Sequence, residues 1–436
     1  MKTHRRLLIK GGRVVTADGV LAADVEIENG KISRLGPDLE VEGAETIEAA
    51  GRLVAPGGID PHVHLELLTS SGQVSSDDFS TGSRAALWGG VTTLGDFAYP
   101  APGQRLIDAW EERRALARGK CRTDFFLHAA IMKSPPDLEE QIDECWERGA
   151  KSFKVHMNDP TCSEEFLKRV CRHLGRLGAW LLVHAEQGKE INRNRRRLLR
   201  EGRRSLEYLP RSIPPELEAG AIREVLETAQ EHGTKLYIVH LSSRLGLEVV
   251  REAKKQGREL AVETCVQYLV LTEEVYRRPD GHYITCVPPF KTEADRQALW
   301  EGLADGSIDT VATDHCPFLR SQKDLWGEDF TRLALGIPGV ETLVPILWSE
   351  GRKRGLSYQR LSELTGTAAA RIFGLRPAKG TIKPGADADL FIYDPDYRFK
   401  IDWRDLHMNC DFSPYQGLEI EGRPEVTIRG GEIWRG

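Results

Sequence analysis

Two histidines separated by one residue, His62 and His64, have the spacing of a chelating pair. Side chains two apart on a β-strand point to the same side, so both imidazoles can face one metal ion. The valine between them then faces the opposite side of the strand. The HVH segment therefore predicts a metal site at the end of a strand.

Four more residues that could take part in such a site stand at the ends of other β-rich runs. They are Lys154, His184, His240 and Asp314. A single histidine at a strand end is usually a hydrogen-bonded packing residue, whereas four imidazoles and an aspartate gathered in one place are typical of a metal site. We therefore predict that the four histidines and Asp314 are metal ligands.

Lys154 does not fit a simple ligand set, because a free lysine is cationic, with a pKa of about 10.4, and repels a divalent metal. Burial beside cations would lower that pKa and leave a nucleophilic amine. Such an amine can take up carbon dioxide and become an anionic carbamate with two oxygens. The residues alone leave open a structural or a substrate-binding role for this lysine.

The runs that carry these residues alternate with amphipathic helical segments from about residue 52 onward. The predicted strands cover residues 53–65, 91–97, 124–131, 152–157, 180–186, 235–241, 260–266 and 309–315. Eight strands in about 260 residues match the size of a (β/α)8 barrel, whose active sites lie at the C-terminal ends of the strands. We predict such a barrel over residues 53–378.

Both ends of the chain have a different pattern. Residues 1–52 contain short alternating runs broken by ENG and GG turns, as in antiparallel sheets, and residues 379–436 repeat this pattern. We predict that residues 1–52 and 379–436 form one small β-sandwich domain beside the barrel. The predicted fold class is therefore α/β, a (β/α)8 TIM barrel with a small β-sandwich domain formed from both chain termini.

Composition excludes several classes of function. The chain has 436 residues, 40% hydrophobic and 29% charged, with a formal net charge of −6. It lacks the basic face of a nucleic-acid-binding protein, and its one basic run, at 193–204, is typical of a solvated helix face. No run of about 18 apolar residues could cross a membrane, and the start lacks the apolar core of a signal peptide. We expect a cytoplasmic protein with neither a nucleic-acid nor a membrane partner. The eight cysteines form no CxxC pair, and we expect them to be reduced.

The sequence resembles the dihydropyrimidinases, hydantoinases and allied cyclic amidohydrolases over nearly its whole length. The likeness includes the segments PGGIDPHVHLE, SFKVHM, LVHAE, LYIVHLSS, VETCVQYLVLT and IDTVATDHCPF. The resemblance implies hydrolysis of a cyclic amide bond, in a hydantoin, a dihydropyrimidine or a related cyclic ureide, by a hydroxide between two metal ions. It also implies a small cyclic amide as the partner and a homo-oligomer, a dimer or a tetramer.

The resemblance also gives each site residue a role. Its ligand set would be His62, His64 and Asp314 for one zinc ion, His184 and His240 for the other, and carboxylated Lys154 as the bridge between them. Asp314 would be the catalytic residue, accepting the hydroxide proton and returning it to the leaving nitrogen. Main-chain groups near Val287 and Leu335 would bind the substrate.

Two positions depart from the family pattern. Asp159 stands where these enzymes usually have a tyrosine that contacts the substrate, and His156 stands where an aromatic residue such as phenylalanine is usual. Asp159 either points to solvent in a shifted turn or accepts a hydrogen bond from an amino or ureido group of the substrate. His156 is either a packing residue behind the ligands or a second substrate contact.

Two alternatives stay open. An allantoinase or a dihydroorotase would use the same chemistry, but dihydroorotases follow the HxH pair with an arginine for the substrate carboxylate, and this chain has Glu66. A carboxylate there would repel dihydroorotate, which favours an uncharged ureide. The other alternative is a metal-free scaffold, as in the collapsin-response relatives, but here every ligand position is filled.

Overall fold

The computed structural model describes residues 6–69 and 72–435, which form two sheets and the helices around them. The strands are β1 (Arg6–Val15), β2 (Val20–Glu28), β3 (Lys31–Gly36), β4 (Glu45–Glu48), β5 (Leu53–Pro56), β6 (Gly58–Val63), β7 (Val91–Ala98), β8 (Asp124–Ala130), β9 (Ser152–His156), β10 (Trp180–His184), β11 (Lys235–Ile238), β12 (Leu260–Cys265), β13 (Thr310–Ala312), β14 (Leu390–Lys400), β15 (Glu419–Arg429) and β16 (Glu432–Arg435). The helices are α1 (Phe79–Trp88), α2 (Leu106–Lys120), α3 (Leu138–Glu147), α4 (Glu164–Leu177), α5 (Gly188–Arg200), α6 (Leu209–Ser212), α7 (Pro215–His232), α8 (Arg244–Lys255), α9 (Val266–Val270), α10 (Glu293–Asp305), α11 (Arg320–Lys323), α12 (Leu343–Lys353), α13 (Tyr358–Ser362) and α14 (Ala368–Ile372).

The larger unit is a parallel barrel of β6 to β13, arranged in sequence order. Each of the eight predicted segments coincides with one of these strands, to within one residue for β7 and with a few extra residues elsewhere. Most of the strands are nearly continuous buried runs, as expected where helices cover the outer face of a parallel sheet. The predicted TIM barrel is therefore confirmed.

The barrel closes through side chains as well as through its strands. Within the described residues, β6 and β13 form no ladder with each other, and a bridge between Val63 on β6 and His315, three residues after the end of β13, joins the two sides. Asp60 on β6 reaches across this seam and accepts hydrogen bonds from the backbone N–H of Thr313, at 3.2 Å, and from its hydroxyl, at 2.5 Å. The N–H of His64 donates to the carbonyl of His315 at 2.8 Å. These contacts hold the end of the first barrel strand against the segment that follows the last.

The second sheet joins the two ends of the chain. Its strand order is β16-β15-β14-β5-β1-β2-β3, and β4 also pairs with β1. Side chains from both ends pack in its own apolar core, among them Leu7, Val25, Ile392 and Ile428. The predicted small β domain formed from both termini is confirmed.

The predicted first barrel strand, residues 53–65, is wrong as a single strand. Its first part, β5, pairs with β1 and β14 in the terminal sheet, and the barrel strand β6 begins at Gly58. Gly57 lies between the two, where an added Cβ would come within 2.2 Å of the Thr92 hydroxyl oxygen. The chain therefore passes from one sheet to the other at a position that only glycine can fill. The division into 1–52 with 379–436 and 53–378 stays a prediction.

The structure also bears on the expectations from composition. All eight cysteines are free. The basic run lies largely on α5, where Arg193, Arg196 and Arg197 are exposed. Across residues 6–69 and 72–435, no helix is both long and apolar enough to span a membrane. The cytoplasmic location and the homo-oligomer stay predictions.

Candidate active site

Three of the predicted ligands meet at the C-terminal end of the barrel. Nε2 of His62 lies 3.2 Å and Nε2 of His64 lies 3.0 Å from the same oxygen, Oδ1 of Asp314. One ligand atom from each residue lies within 4.8 Å of the other two. Two imidazoles and a carboxylate that converge in this way can hold one divalent ion.

The other two predicted histidine ligands form a second pair beside the first. Nδ1 of His184 and Nε2 of His240 are 3.0 Å apart, and the ring centres are separated by 4.4 Å. The His240 ring also stacks with the ring of His62, at 5.5 Å between centres. All five predicted ligands therefore converge, although they come from four different strand ends.

Lys154 lies on β9 inside the barrel, with only 1% of its surface exposed. Burial lowers the pKa of Lys154 to about 8, although the carboxylates of Glu263 and Asp314 act in the opposite direction. Burial also lowers the pKa values of His62 and His240, and the positive charge of Lys154 lowers both further. The lysine is therefore close enough to both histidine pairs to act on them.

A buried carboxylate that sequence reasoning missed, Glu263 on β12, orients two of the histidines. Its Oε1 lies 2.7 Å from Nδ1 of His62 and accepts the backbone N–H of His240 at 3.0 Å. Its Oε2 accepts the hydroxyl of Tyr237 at 2.9 Å. A carboxylate on Nδ1 keeps the proton there and leaves Nε2 of His62 free to face Asp314. The signal was present in the VETC segment, since a glutamate on a buried strand needs a partner.

His184 has a carboxylate partner of the same kind. Its Nε2 lies 2.6 Å from Oε2 of Glu186, which is fully buried. This contact turns Nδ1 of His184 towards His240. The LVHAE segment therefore supplies both an imidazole and the carboxylate that orients it.

Two of the predicted ligands have a strained backbone. The φ angles of His240 and Asp314 are +40° and +52°, in the left-handed region that non-glycine residues rarely adopt. Such a conformation costs on the order of 1–3 kcal/mol and persists only where the surroundings enforce it, most often at functional sites. At His240 the enforcing contact is the hydrogen bond from its N–H to Glu263.

The charges around Asp314 keep its carboxyl ionised. Burial raises the pKa of Asp314, but His62, His64 and Lys154 lower it by more, so the net pKa lies below the ordinary value. An ionised carboxylate in this position can act as an oxygen ligand and as a proton acceptor.

The residues present fit a divalent metal centre. Burial favours neutral imidazoles at His62 and His240, which is the form that binds metals. Nδ1 of His64 is buried without a hydrogen-bond partner among the described residues. Neutral imidazole nitrogens and a carboxylate oxygen all present lone pairs to the same point. A divalent cation bound there would interact favourably with all of them.

A cavity of about 350 Å³ lies beside the ligand cluster, and His156 and Asp159 are in its wall. His156 is half-buried, with Nε2 at 3.2 Å from the Tyr99 hydroxyl. The ring centre of His156 is 5.8 Å from that of His184. His156 therefore lies between the cavity and the predicted metal ligands.

Asp159 forms a turn in this wall. Its Oδ1 accepts the backbone N–H of Thr161, at 2.8 Å, and the Thr161 hydroxyl, at 2.7 Å. An aspartate side chain that accepts hydrogen bonds from the residue two positions later is typical of a tight turn. The contacts favour the first of the two explanations for the missing tyrosine.

We expect Asp159→Ala to change kcat/KM by less than about tenfold on every cyclic ureide, far below the roughly 10²–10³ cost of a lost oxyanion donor. The reason is that Asp159 already uses one oxygen on Thr161. Steady-state kinetics on hydantoin, dihydrouracil and allantoin measure the effect, with Asp159→Asn as the control that keeps the acceptor oxygen. A large loss confined to substrates with an exocyclic nitrogen would instead make Asp159 the specificity residue.

The predicted substrate-anchoring segments, around Val287 and Leu335, lie against each other. Both residues are half-buried. The N–H of Gly336 donates to the carbonyl of Thr285 at 2.9 Å and so joins the two segments. The second segment continues into a parallel bridge with the residue that follows Asp314. The main chain that is expected to bind the substrate therefore lies beside the ligand cluster.

Glu66, which follows the HVH segment, is paired with a lysine. Both of its carboxylate oxygens lie 2.9 Å from Nζ of Lys120, and one accepts the N–H of Phe79 at 3.1 Å. Lys120 therefore compensates part of the charge of Glu66, and the repulsion of dihydroorotate stays a prediction. What still argues against dihydroorotate is that the arginine of dihydroorotases is replaced here.

Known proteins are similar to this chain over nearly its whole length. Residues 53–433 match the model of the Amidohydrolase family. The chain belongs to the amidohydrolase family. This amidohydrolase is 37% identical over 434 residues to the D-hydantoinase of Geobacillus stearothermophilus, a match that covers 98% of this chain and 92% of that protein. It is 38% identical over 433 residues to the D-phenylhydantoinase of Escherichia coli O1:K1, covering 98% and 94% of the two chains.

Solved structures agree with the sequence comparison. The amidohydrolase matches a D-hydantoinase crystal structure with a TM-score of 0.95 at 35% identity, over 98% of this chain and 95% of that one. It matches the dihydropyrimidinase of Brevibacillus agri with a TM-score of 0.95 at 34% identity, over 98% and 94%. The match to the L-hydantoinase of Arthrobacter aurescens has a TM-score of 0.91 at 29% identity, over 99% and 96%. The predicted kinship with dihydropyrimidinases and hydantoinases is confirmed, and the amidohydrolase is an enzyme that hydrolyses carbon–nitrogen bonds of cyclic amides.

Proposed function

We propose that the enzyme opens the ring amide of a hydantoin, a dihydropyrimidine or a related cyclic ureide at a centre of two zinc ions. The observation that carries this proposal is the convergence of His62 and His64 on one oxygen of Asp314, at 3.2 and 3.0 Å, beside the second histidine pair. The names of the relatives, which include D-hydantoinase, D-phenylhydantoinase and dihydropyrimidinase, support this substrate class.

Six side chains would hold the ions. They are His62, His64 and Asp314 for one, His184 and His240 for the other, and Lys154 between them. The ions would supply Lewis acidity towards the ring carbonyl and would lower the pKa of a water molecule at neutral pH.

Asp314 would hold and move the proton. In the reaction a water oxygen bonds to the ring carbonyl carbon, the carbon–nitrogen bond breaks, and the leaving nitrogen gains a proton. The lowered pKa of Asp314 keeps its carboxylate ionised at neutral pH and therefore free to accept a proton, which the same carboxyl can pass to the nitrogen. The backbone near Val287 and Leu335 would hold the ring in place during both transfers.

Lys154 would act as a carbamate. The nitrogen of the free amine bonds to the carbon of carbon dioxide and releases one proton, which leaves an anionic group with two oxygens. Burial lowers the pKa of Lys154 to about 8, so more of the free amine is present near neutral pH than for an ordinary lysine. An unmodified ammonium in the same place would repel both ions.

We expect the purified enzyme to contain close to two divalent ions per chain after expression with added zinc. The reason is that the two histidine pairs, each with its own orienting carboxylate, form two neighbouring half-sites. Elemental analysis measures the metal content, and His184→Ala is the comparison variant that should lose the second ion first. One ion or fewer per wild-type chain would contradict a two-metal centre, and none would favour the scaffold alternative.

A panel of cyclic ureides and imides tests the function itself. Hydantoin, dihydrouracil, allantoin and dihydroorotate can each be followed by the loss of ring amide absorbance. We expect turnover of hydantoin or dihydrouracil, lost on treatment with a chelator and restored by zinc. Turnover of dihydroorotate alone, or of allantoin alone, would replace the proposal by the corresponding alternative, and turnover of no substrate would contradict it.

A further inference from the structure

We propose that Lys323 is a positioning residue for the substrate, because its ammonium ties together the two segments that carry Val287 and Leu335. This inference rests on the proposed function, in which the main chain of these segments holds the ring. Lys323 itself would not touch the substrate.

The contacts of Lys323 are unusually complete for a lysine. The residue ends the short helix α11 and is fully buried. Its Nζ donates to the carbonyl of Gly336 at 2.6 Å and to that of Ala334 at 2.7 Å. It also lies 3.1 Å from both the carbonyl and the hydroxyl oxygen of Thr285. An ammonium has three hydrogens, so these four oxygens take up its whole donor capacity.

A merely structural role would not need a lysine here. Burial lowers the pKa of Lys323, and the ionisable groups that act on it are the thiols of Cys286, Cys316 and Cys410, but the four oxygens around Nζ favour the protonated form. Burying an amine without a carboxylate partner is costly, and an apolar side chain would fill the same space at a lower cost. An apolar side chain could not, however, hold three backbone carbonyls at one point.

The planarity of the peptide bond connects these contacts to Leu335. The carbonyl of Ala334 and the N–H of Leu335 belong to one peptide plane and point in opposite directions. When Lys323 holds that carbonyl, the N–H of Leu335 must point away from the lysine. The carbonyl of Leu335 is fixed in the same way, since the N–H of Gly336 in its peptide plane donates to Thr285. The contacts of the neighbouring residues therefore set the directions of the backbone N–H and carbonyl of Leu335. Within the described residues, neither group has a hydrogen-bond partner in the protein.

The first segment is fixed through Thr285. Its carbonyl accepts both the Lys323 ammonium and the N–H of Gly336, at 3.1 and 2.9 Å. Val287 follows two residues later and is half-buried. Loss of the ammonium would therefore free both segments together, while the metal ligands, which Lys323 does not contact, would keep their partners.

The test compares Lys323→Met with wild type and with Arg360→Met. Arg360 is a matched control because its guanidinium also donates to two backbone carbonyls, those of Leu303 and Ile308, near the start of the last barrel strand and away from the site. For Lys323→Met we expect KM for the best cyclic ureide to rise at least about tenfold, with kcat within about threefold and two metal ions retained. For Arg360→Met we expect a lower melting temperature and an unchanged KM.

A folded, metal-loaded Lys323→Met enzyme with the wild-type KM would overturn the proposal, as would an equal rise of KM in Arg360→Met. If Lys323→Met does not fold, the KM of Lys323→Gln is measured instead. Its amide keeps two N–H donors on a shorter side chain, so an intermediate KM supports positioning and a wild-type KM refutes it.

Failure of the proposed function would be visible separately, as a wild-type enzyme that hydrolyses no cyclic ureide. In that case hydrogen–deuterium exchange still decides the role of Lys323. Exchange at residues 285–287 and 334–337 should be at least about tenfold faster in Lys323→Met than in Arg360→Met. Equal exchange in the two variants would show that the ammonium does not hold these segments.

Discussion

Asp314→Asn should retain its metal ions and lose at least about 10²-fold to 10⁴-fold in turnover, the range of a general acid–base contribution. Asparagine keeps the Oδ1 oxygen on which His62 and His64 converge, at 3.2 and 3.0 Å. The asparagine amide cannot accept the proton. In the wild-type enzyme the lowered pKa of Asp314 keeps its carboxylate ionised at neutral pH, so that it can.

Metal analysis and kcat are measured on the same preparation of Asp314→Asn. Asp295→Asn is a suitable control, because Asp295 is also a buried carboxylate with several hydrogen bonds, but it caps α10 outside the ligand cluster. Its turnover should stay within about threefold of wild type. A metal-loaded Asp314→Asn enzyme with near wild-type turnover would exclude Asp314 as the proton carrier.

Lys154→Ala should lose at least about 10²-fold in turnover, together with part of its metal, and short carboxylic acids should restore some of both. Truncation at β9 removes the bridging group and leaves a space next to both histidine pairs. Acetate or propionate in that space would present two oxygens in place of the two carbamate oxygens. The rescue should saturate with the acid concentration, since it requires binding at a defined position.

Lys151→Ala is the matched control, because Lys151 lies three residues earlier, is exposed, and contacts the Trp146 ring from 3.9 Å. It should keep both turnover and metal. Labelled bicarbonate gives an independent readout: a carbonyl carbon signal should be present in wild type and missing in Lys154→Ala. An unmodified amine at Lys154 in a fully metal-loaded, active enzyme would refute the carbamate.

Much of the barrel could be predicted from the sequence, because its strands are short apolar runs separated by amphipathic helices. The polar residues at their ends stand out against that background, and His62, His64 and Asp314 converge as expected. The strand predicted over residues 53–65 was wrong, because apolar periodicity does not show that one glycine separates two sheets.

The residues that support the site were harder to predict, because their partners are remote in the sequence. Glu263 lies 201 residues from His62, so its strand alone could not show which histidine it orients. The charge of Glu66 is partly compensated by Lys120, 54 residues away. Lys323 stands in the polar segment RSQK, which has the composition of an exposed turn, and its burial follows only from the loops that fold over it.

The seam of the barrel determines when during synthesis the centre can first exist. Asp60 and Thr313, which close the seam, are 253 residues apart in the chain. His62 and His64 lie on one side of this seam and Asp314 lies on the other. A growing chain therefore carries its histidine pair for most of its synthesis without the carboxylate that completes the ligand set, and closing so long a loop comes late. The ligand set that we propose is therefore complete only once the last barrel strand is in place, so a divalent ion would be held by a finished barrel and not by a growing chain.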